Sequence, residues 1–251
     1  MSISLDEAVE LTRTGDVWVF RGRSVPDRAI QFTTNSPVNH VGMAVVLDDM
    51  PPLMWHAELG RSLPDLWSGT HQRGVQLHDL RDAVCVWANR YGQRAWLRQL
   101  DPPADGEMER AVLRTIARLD GTPFPSTAQL AWRWVRGRVP SLPRLGRPAL
   151  RPATATRATA TRATATPATQ TPATQTPATA SPSASAGERD RALETAYCAE
   201  VVAVTYEAMG LLPAGRRPNW YDPGRFWSGD DLGLGGDARL GAEIEVRVPP
   251  R

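Results

Sequence analysis

TAYCAEVVAVTYEAMG, residues 195–210, is the stretch on which the reading of this chain turns. It comes eight residues after PATATRATATRATATPATQTPATQTPATASPSASA (152–186), a tract without one aromatic or large aliphatic side chain. Such a tract cannot bury enough apolar surface to offset the entropy of ordering it, so it predicts a disordered insertion. The segment behind it reads as a helix, with Gly210 in the position of a C′ glycine. One short helix cannot form a domain, so it has to dock on the part of the chain before the insertion. Cys198 falls in its first turn, where free backbone N–H groups and the helix dipole favour a thiolate, the nucleophilic form of the residue.

Composition narrows the setting. The chain has 251 residues, 41% of them hydrophobic, and a formal net charge of +2. That balance gives no argument for nucleic acid or an anionic membrane surface as partner. Cys85 and Cys198 are the two cysteines, too few for a disulfide framework. MSISLDEAVE (1–10) carries acidic residues where a secretory leader carries basic ones. No window approaches the roughly 18 apolar residues of a membrane span. The expectation is a soluble cytoplasmic protein of unknown oligomeric state. Its single domain would be divided into residues 1–137, an insertion at 138–187 opened by the proline-rich RVPSLPRLGRPALRP (138–152), and residues 188–251.

The first part alternates short apolar runs with Gly, Pro, Asp and Asn. DVWVF (16–20), HVGMAVVL (40–47), LMWHA (53–57), GVQLHDL (74–80) and VCVWANRY (84–91) predict strands. DGEMERAVLRTIARLDG (105–121) predicts a helix, with Met108, Val112, Ile116 and Leu119 on one face and an acidic first turn. STAQLAWRWV (126–135) predicts another, opened by Ser126, and AEIEVRV (242–248) a last strand. The mixture is an α+β pattern without the regular alternation of a doubly wound sheet.

A thiol nucleophile needs a base, usually an imidazole, and a group that orients the base. The four histidines are His40, His56, His71 and His78. His40 opens one predicted strand and His56 lies in the next, so antiparallel pairing would make the rings neighbours. The candidate set is Cys198 as nucleophile, His40 as general base and His56 as orienter.

GDVWVF (15–20), AIQFTTNSPVNHVGMAVV (29–46), LMWHAELG (53–60) and AYCAEVVAVTYEAMGLL (196–212) resemble the circularly permuted papain-like amidases. These belong to the NlpC-type superfamily of cysteine peptidases, alongside the lecithin–retinol acyltransferase-like proteins. In the permuted group a GD-strand and an H-V-G strand come first and a Y-C-[SA]-E-[LV]-V helix last, which is the order here. The resemblance covers roughly residues 13–92 and 190–212. It implies a papain-like fold with an antiparallel sheet packed on the cysteine helix, Cys198 as nucleophile, His40 as base, and His56 at the third polar position. Many permuted members resemble W-E-A where this chain has W-H-A. Acyltransferase-like relatives use a second histidine there, and a neutral imidazole can accept the base's N–H.

Other features take plainer readings. His71 and His78, in THQRGVQLHDL (70–80), have no ligand spacing and are expected on the surface, and Cys85 is expected as a packed strand residue. WRWVRGR (132–138) reads as a helix with one Trp buried rather than a nucleic-acid stripe, since no sustained basic patch accompanies it. Glu200 is expected to support the first helical turn through the dipole rather than to act with Glu58 as an acid/base partner. No metal or organic cofactor is implied. The implied function is a cysteine hydrolase or acyltransferase acting through a thioacyl intermediate on a small-molecule, peptide or lipid acyl substrate. The alternative is a catalytically silent papain-like binding module.

Overall fold

The computed structural model describes residues 1–22, 37–58, 62–123, 197–215, 220–228 and 232–250. The expected insertion (138–187) and the expected helix over 126–135 lie outside them.

Four helices and nine strands are described. Strand β1 (Ser2–Ser4) runs into helix α1 (Leu5–Leu11), where the Ser4 side chain accepts from the Glu7 N–H and Glu7 reaches back to the Ser4 backbone. This reciprocal capping box satisfies two otherwise free donors. Strands β2 (Val17–Arg21), β3 (His40–Val45), β4 (Leu53–Glu58) and β5 (Gly74–Asp79) follow. Asp79 then caps α2 (Leu80–Tyr91), which ends at Gly92 with φ +63°. Next come β6 (Arg94–Arg98), β7 (Leu100–Asp101) and α3 (Gly106–Leu119); α4 (Cys198–Ala208), β8 (Arg239–Leu240) and β9 (Ile244–Arg247) complete the set.

VCVWANRY (84–91) is therefore helix, not strand. Leu80, Ala83, Val84 and Trp87 are buried at i, i+3, i+4 and i+7, the spacing of a helical face. The apparent alternation of its Val and Trp residues is a by-product of that stripe. The helices expected at 105–121 and behind the insertion are present, and Gly210 adopts φ +77° just past α4.

Seven strands form one sheet in the order β1-β9-β6-β2-β3-β4-β5, and only the β1–β9 pair is parallel. The described residues are thus α+β with a mainly antiparallel sheet, and β9 and α4 join it from the part of the chain after residue 197. Strand β3 pairs β2 through Phe20↔His40 and pairs β4 through Met43↔Trp55, as antiparallel partners.

Period-two alternation divides the core into two layers. Odd-numbered residues Val17, Val19, Val41, Met43, Val45, Leu53, Trp55, Ala57, Val75 and Leu77 share one apolar cluster with α4 and α3. Even-numbered Trp18, Phe20, Ala44 and Met54 share the other with α1 and α2. From Cys198 through Tyr206 every residue of α4 is buried, so this helix fills the centre of its layer rather than capping a surface. Two buried bonds seat it: the Trp55 indole N–H donates to Thr205 Oγ1 (3.1 Å) and the Tyr206 hydroxyl donates to the Gly15 carbonyl (2.6 Å). Asp16, beside that glycine, is itself fully buried and accepts from the backbone of Arg13 and Leu100, each at 2.8 Å. The Gly-Asp pair thus joins β2, β7 and α4. Among the described residues no helix is long and apolar enough to cross a membrane.

Candidate active site

Cys198 is the first residue of α4, behind an extended Tyr197 that makes no side-chain cap. Its sulfur lies close enough to the backbone N–H groups of Val41, Ala199 and Cys198 itself for them to favour the thiolate. Burial outweighs them. With the residue 3% exposed and Glu200 adding an unfavourable negative charge, the thiol is pushed up to about 12. Glu200 is buried in the third position of α4 and so opposes thiolate formation.

His40 opens β3, but its ring turns to the layer of α2. It stands edge-on to Trp87 (centroids 5.0 Å, 80°) and to His56 (5.3 Å, 86°), and tilted against Phe20 at 5.7 Å. Burial, with the charge of His78 as a lesser cause, lowers it to about 3. His56 is fully buried on the same face; its Nε2 and the Nδ1 of His78 share a hydrogen bond of 3.1 Å. Burial holds His56 well below the usual imidazole range, and His78 and His40 push it the same way. The room comes from Gly42. A Cβ there would sit 2.4 Å from Met54 Sδ and 3.3 Å from His56 Cβ.

The structure therefore brings His40 and His56 together, as strand pairing predicted, and adds His78. It does not bring Cys198 to them. Both histidines have even numbers and face α2, whereas Cys198 belongs to the cluster formed by the odd-numbered residues, and no hydrogen bond joins the thiol to either ring. The thiol meets β3 at the backbone N–H of Val41, the residue after His40.

His78 is not a surface imidazole. It is fully buried, whereas His71 is exposed as expected. Burial lowers His78 too, while the carboxylates of Glu58 and Asp65 and the Leu63 carbonyl work in the opposite sense. A signal was present in GVQLHDL: Gln76 and His78 are two residues apart, so both share the strand face turned to α2. Glu58 closes the cluster, accepting from the Trp87 indole N–H (3.1 Å) and from the Ser62 backbone (2.9 Å). Cys85, also buried, sits in α2 and not on a strand. Among the described residues no group of three or more His, Cys, Asp or Glu side chains is arranged to hold a metal ion.

No family model matches the chain, and no curated protein does. Among solved structures, the metalloprotein yiiX of Escherichia coli O157:H7 (DUF1105) is similar at 23% identity, over 45% of this chain and 53% of that one, with a TM-score of 0.35. The match thus spans about half of that protein, and at this score neither fold nor activity is transferred from it.

Proposed function

We propose that this chain is a cysteine-dependent hydrolase or acyltransferase of the permuted papain-like kind, with Cys198 as nucleophile and His40 as base. One observation carries the reading: the thiol stands at the N-terminus of α4 against the backbone N–H of Val41, next to His40, although 157 residues separate the two in sequence. Backbone N–H groups directed at that position are the donors that thiolate and oxyanion chemistry require. The thiolate would attack the carbonyl carbon of an amide or ester, and the leaving amine or alcohol would take a proton from the imidazolium. Water, or an acceptor hydroxyl or amine deprotonated by the imidazole, would then release the acyl group and restore the thiol. His56 would orient the base. The acyl donor would be a small molecule, a peptide or a lipid. In this reading the His40 ring has to leave its place between Phe20 and Trp87 to reach the sulfur, so the described form is a resting one.

A second reading is favoured by a specific observation. The imidazoles and the thiol occupy opposite faces of the sheet, which suits a catalytically silent papain-like binding module. Iodoacetamide labelling of the full chain across pH separates the two. The enzyme reading expects Cys198 to alkylate faster than a model thiol at pH 6, and His40→Ala to abolish the excess. Labelling that rises only toward strongly alkaline pH, and that His40→Ala leaves unchanged, overturns it in favour of the silent module.

A further inference from the structure

We propose that the row His40–His56–His78 is an acid-sensitive latch, which holds α2 on the sheet while its rings are neutral and releases it when a second proton enters. The inference goes beyond the thiol chemistry and does not depend on it.

The three rings come from three adjacent strands and lie on one face, with diagonal steps of 5.3 Å and 4.9 Å between centroids. Trp87 of α2 closes over them, edge-on to His40 and 4.8 Å from His56. Beside this contact, Leu80, Ala83, Val84 and Cys85 of α2 pack in one apolar cluster with Trp18, Phe20, Met54 and Leu97 of the sheet. The only hydrogen bond between the rings, His56 Nε2 to His78 Nδ1, needs a lone pair on one of the two nitrogens. A single proton leaves that lone pair in place. A second, entering the other ring of this pair, makes both nitrogens donors that face each other at 3.1 Å, so the bond becomes a repulsion. Around the bond, His40 Nε2, His56 Nδ1 and both polar atoms of the Gln76 amide are buried without a hydrogen-bond partner, whereas the Leu63 carbonyl supports a proton on His78.

Surrounding charges set the order of the steps. From β4, Glu58 faces the row, and from the loop before β5, Asp65 does; both favour a charge on His78, and exposed His71 disfavours one. From β2 the facing side chain is Phe20, and from α2 it is Trp87. At the start of α2, Arg81 is engaged by Asp6 of α1, Asp79 caps the helix, and Asp82 lies in the first turn. The first proton thus has two carboxylates near it, whereas a proton on fully buried His56 has only Trp87 and the other two imidazoles as ring neighbours. Charging there is compensated only if water enters, which requires α2 to lift.

Sign and window follow from linkage. The closed form binds fewer protons than the open form, so closure is fully favoured above pH 6.5, the usual imidazole value, and weakens as pH falls below it.

Hydrogen exchange on the full chain, corrected for intrinsic rates, tests this between pH 7.5 and 4.5. Amides of 80–91 are expected to lose about ten-fold in protection per pH unit for each proton taken up, while those of α4 and β2 keep theirs. His78→Asn is expected to flatten that dependence, and His71→Gln to leave it as it is. Should His78→Asn fail to fold, the wild-type contrast between α2 and α4 still decides. Unchanged protection of α2 across the range, or simultaneous opening of α2 and α4 as one global event, overturns the proposal.

Discussion

Replacing Thr205 by Val tests how the cysteine helix is seated. Thr205 Oγ1 accepts the Trp55 indole N–H at 3.1 Å and donates to the Val201 carbonyl at 2.7 Å, and both residues are fully buried. Valine keeps the shape and the helical backbone but removes the acceptor, so the indole N–H is left in the core with no partner. A buried donor stripped of its acceptor costs about 1–3 kcal/mol. Thr205→Ser makes the opposite change, keeping the hydroxyl and deleting one methyl, at about 1 kcal/mol. Valine is therefore expected to be the worse of the two, although it is the more apolar. Urea unfolding at neutral pH measures both variants, and a cycle with Trp55→Phe isolates the pair. The cycle should show a coupling of about 1 kcal/mol or more, and each kcal/mol should move Tm by about 2–4 °C. A serine variant less stable than the valine variant, or a coupling near zero, would refute the claim that this bond docks α4 on the histidine strand.

Two further outcomes are expected from the far edge of the sheet. Gly74 has φ +127°, and a Cβ there would lie 2.0 Å from the Thr122 carbonyl oxygen, so Gly74→Ala should destabilise by about 3 kcal/mol, read by thermal melting. Asp120 is raised to about 7, first by burial and then by the Asp65 carboxylate beside it. Because the folded form holds this proton more tightly than the unfolded chain, its contribution is fully present below the ordinary carboxylate value of 3.8 and is lost as pH rises from there to about 7. Asp120→Asn should remove that decline, and a wild-type melting temperature that shows no such contribution between about pH 4 and 7 when compared with the variant would count against it.

The cysteine helix and the antiparallel pairing of the histidine strands were legible because their signals are local. A helical apolar stripe closed by Gly210 and two short runs divided by Asp48, Asp49 and two prolines leave few other readings. The side of the sheet on which each residue falls was not legible in the same way. HVGMAVV is apolar at odd and even positions alike, so the pattern does not say which face takes α4, itself buried all round. Parity nevertheless carries a constraint: His40 and His56 share a face with Gln76 and His78, and Trp55 with Val41 takes the other. His78 was missed because a lone histidine is usually judged by its own neighbours, whereas its partner lies on the next strand. The α1 capping box was readable as Ser4-x-x-Glu7, yet a seven-residue helix shows too few turns for periodicity to reveal it.

The parallel pairing of β1 with β9 bears on the order in which the molecule is assembled during synthesis. β9 is inserted between β1 and β6, with Ile3 beside Val246 on one side and Ala95 beside Val246 on the other. Among the described strands, β1 is thus held to the sheet only by β9. Until residue 247 has left the ribosome, β1 and the start of α1 have no ladder to join, and the β6 edge stands open with Trp96 on it. A nascent chain halted between α4 and β9 would hold a docked cysteine helix on an unfinished sheet, and β9 would act as the closing stitch.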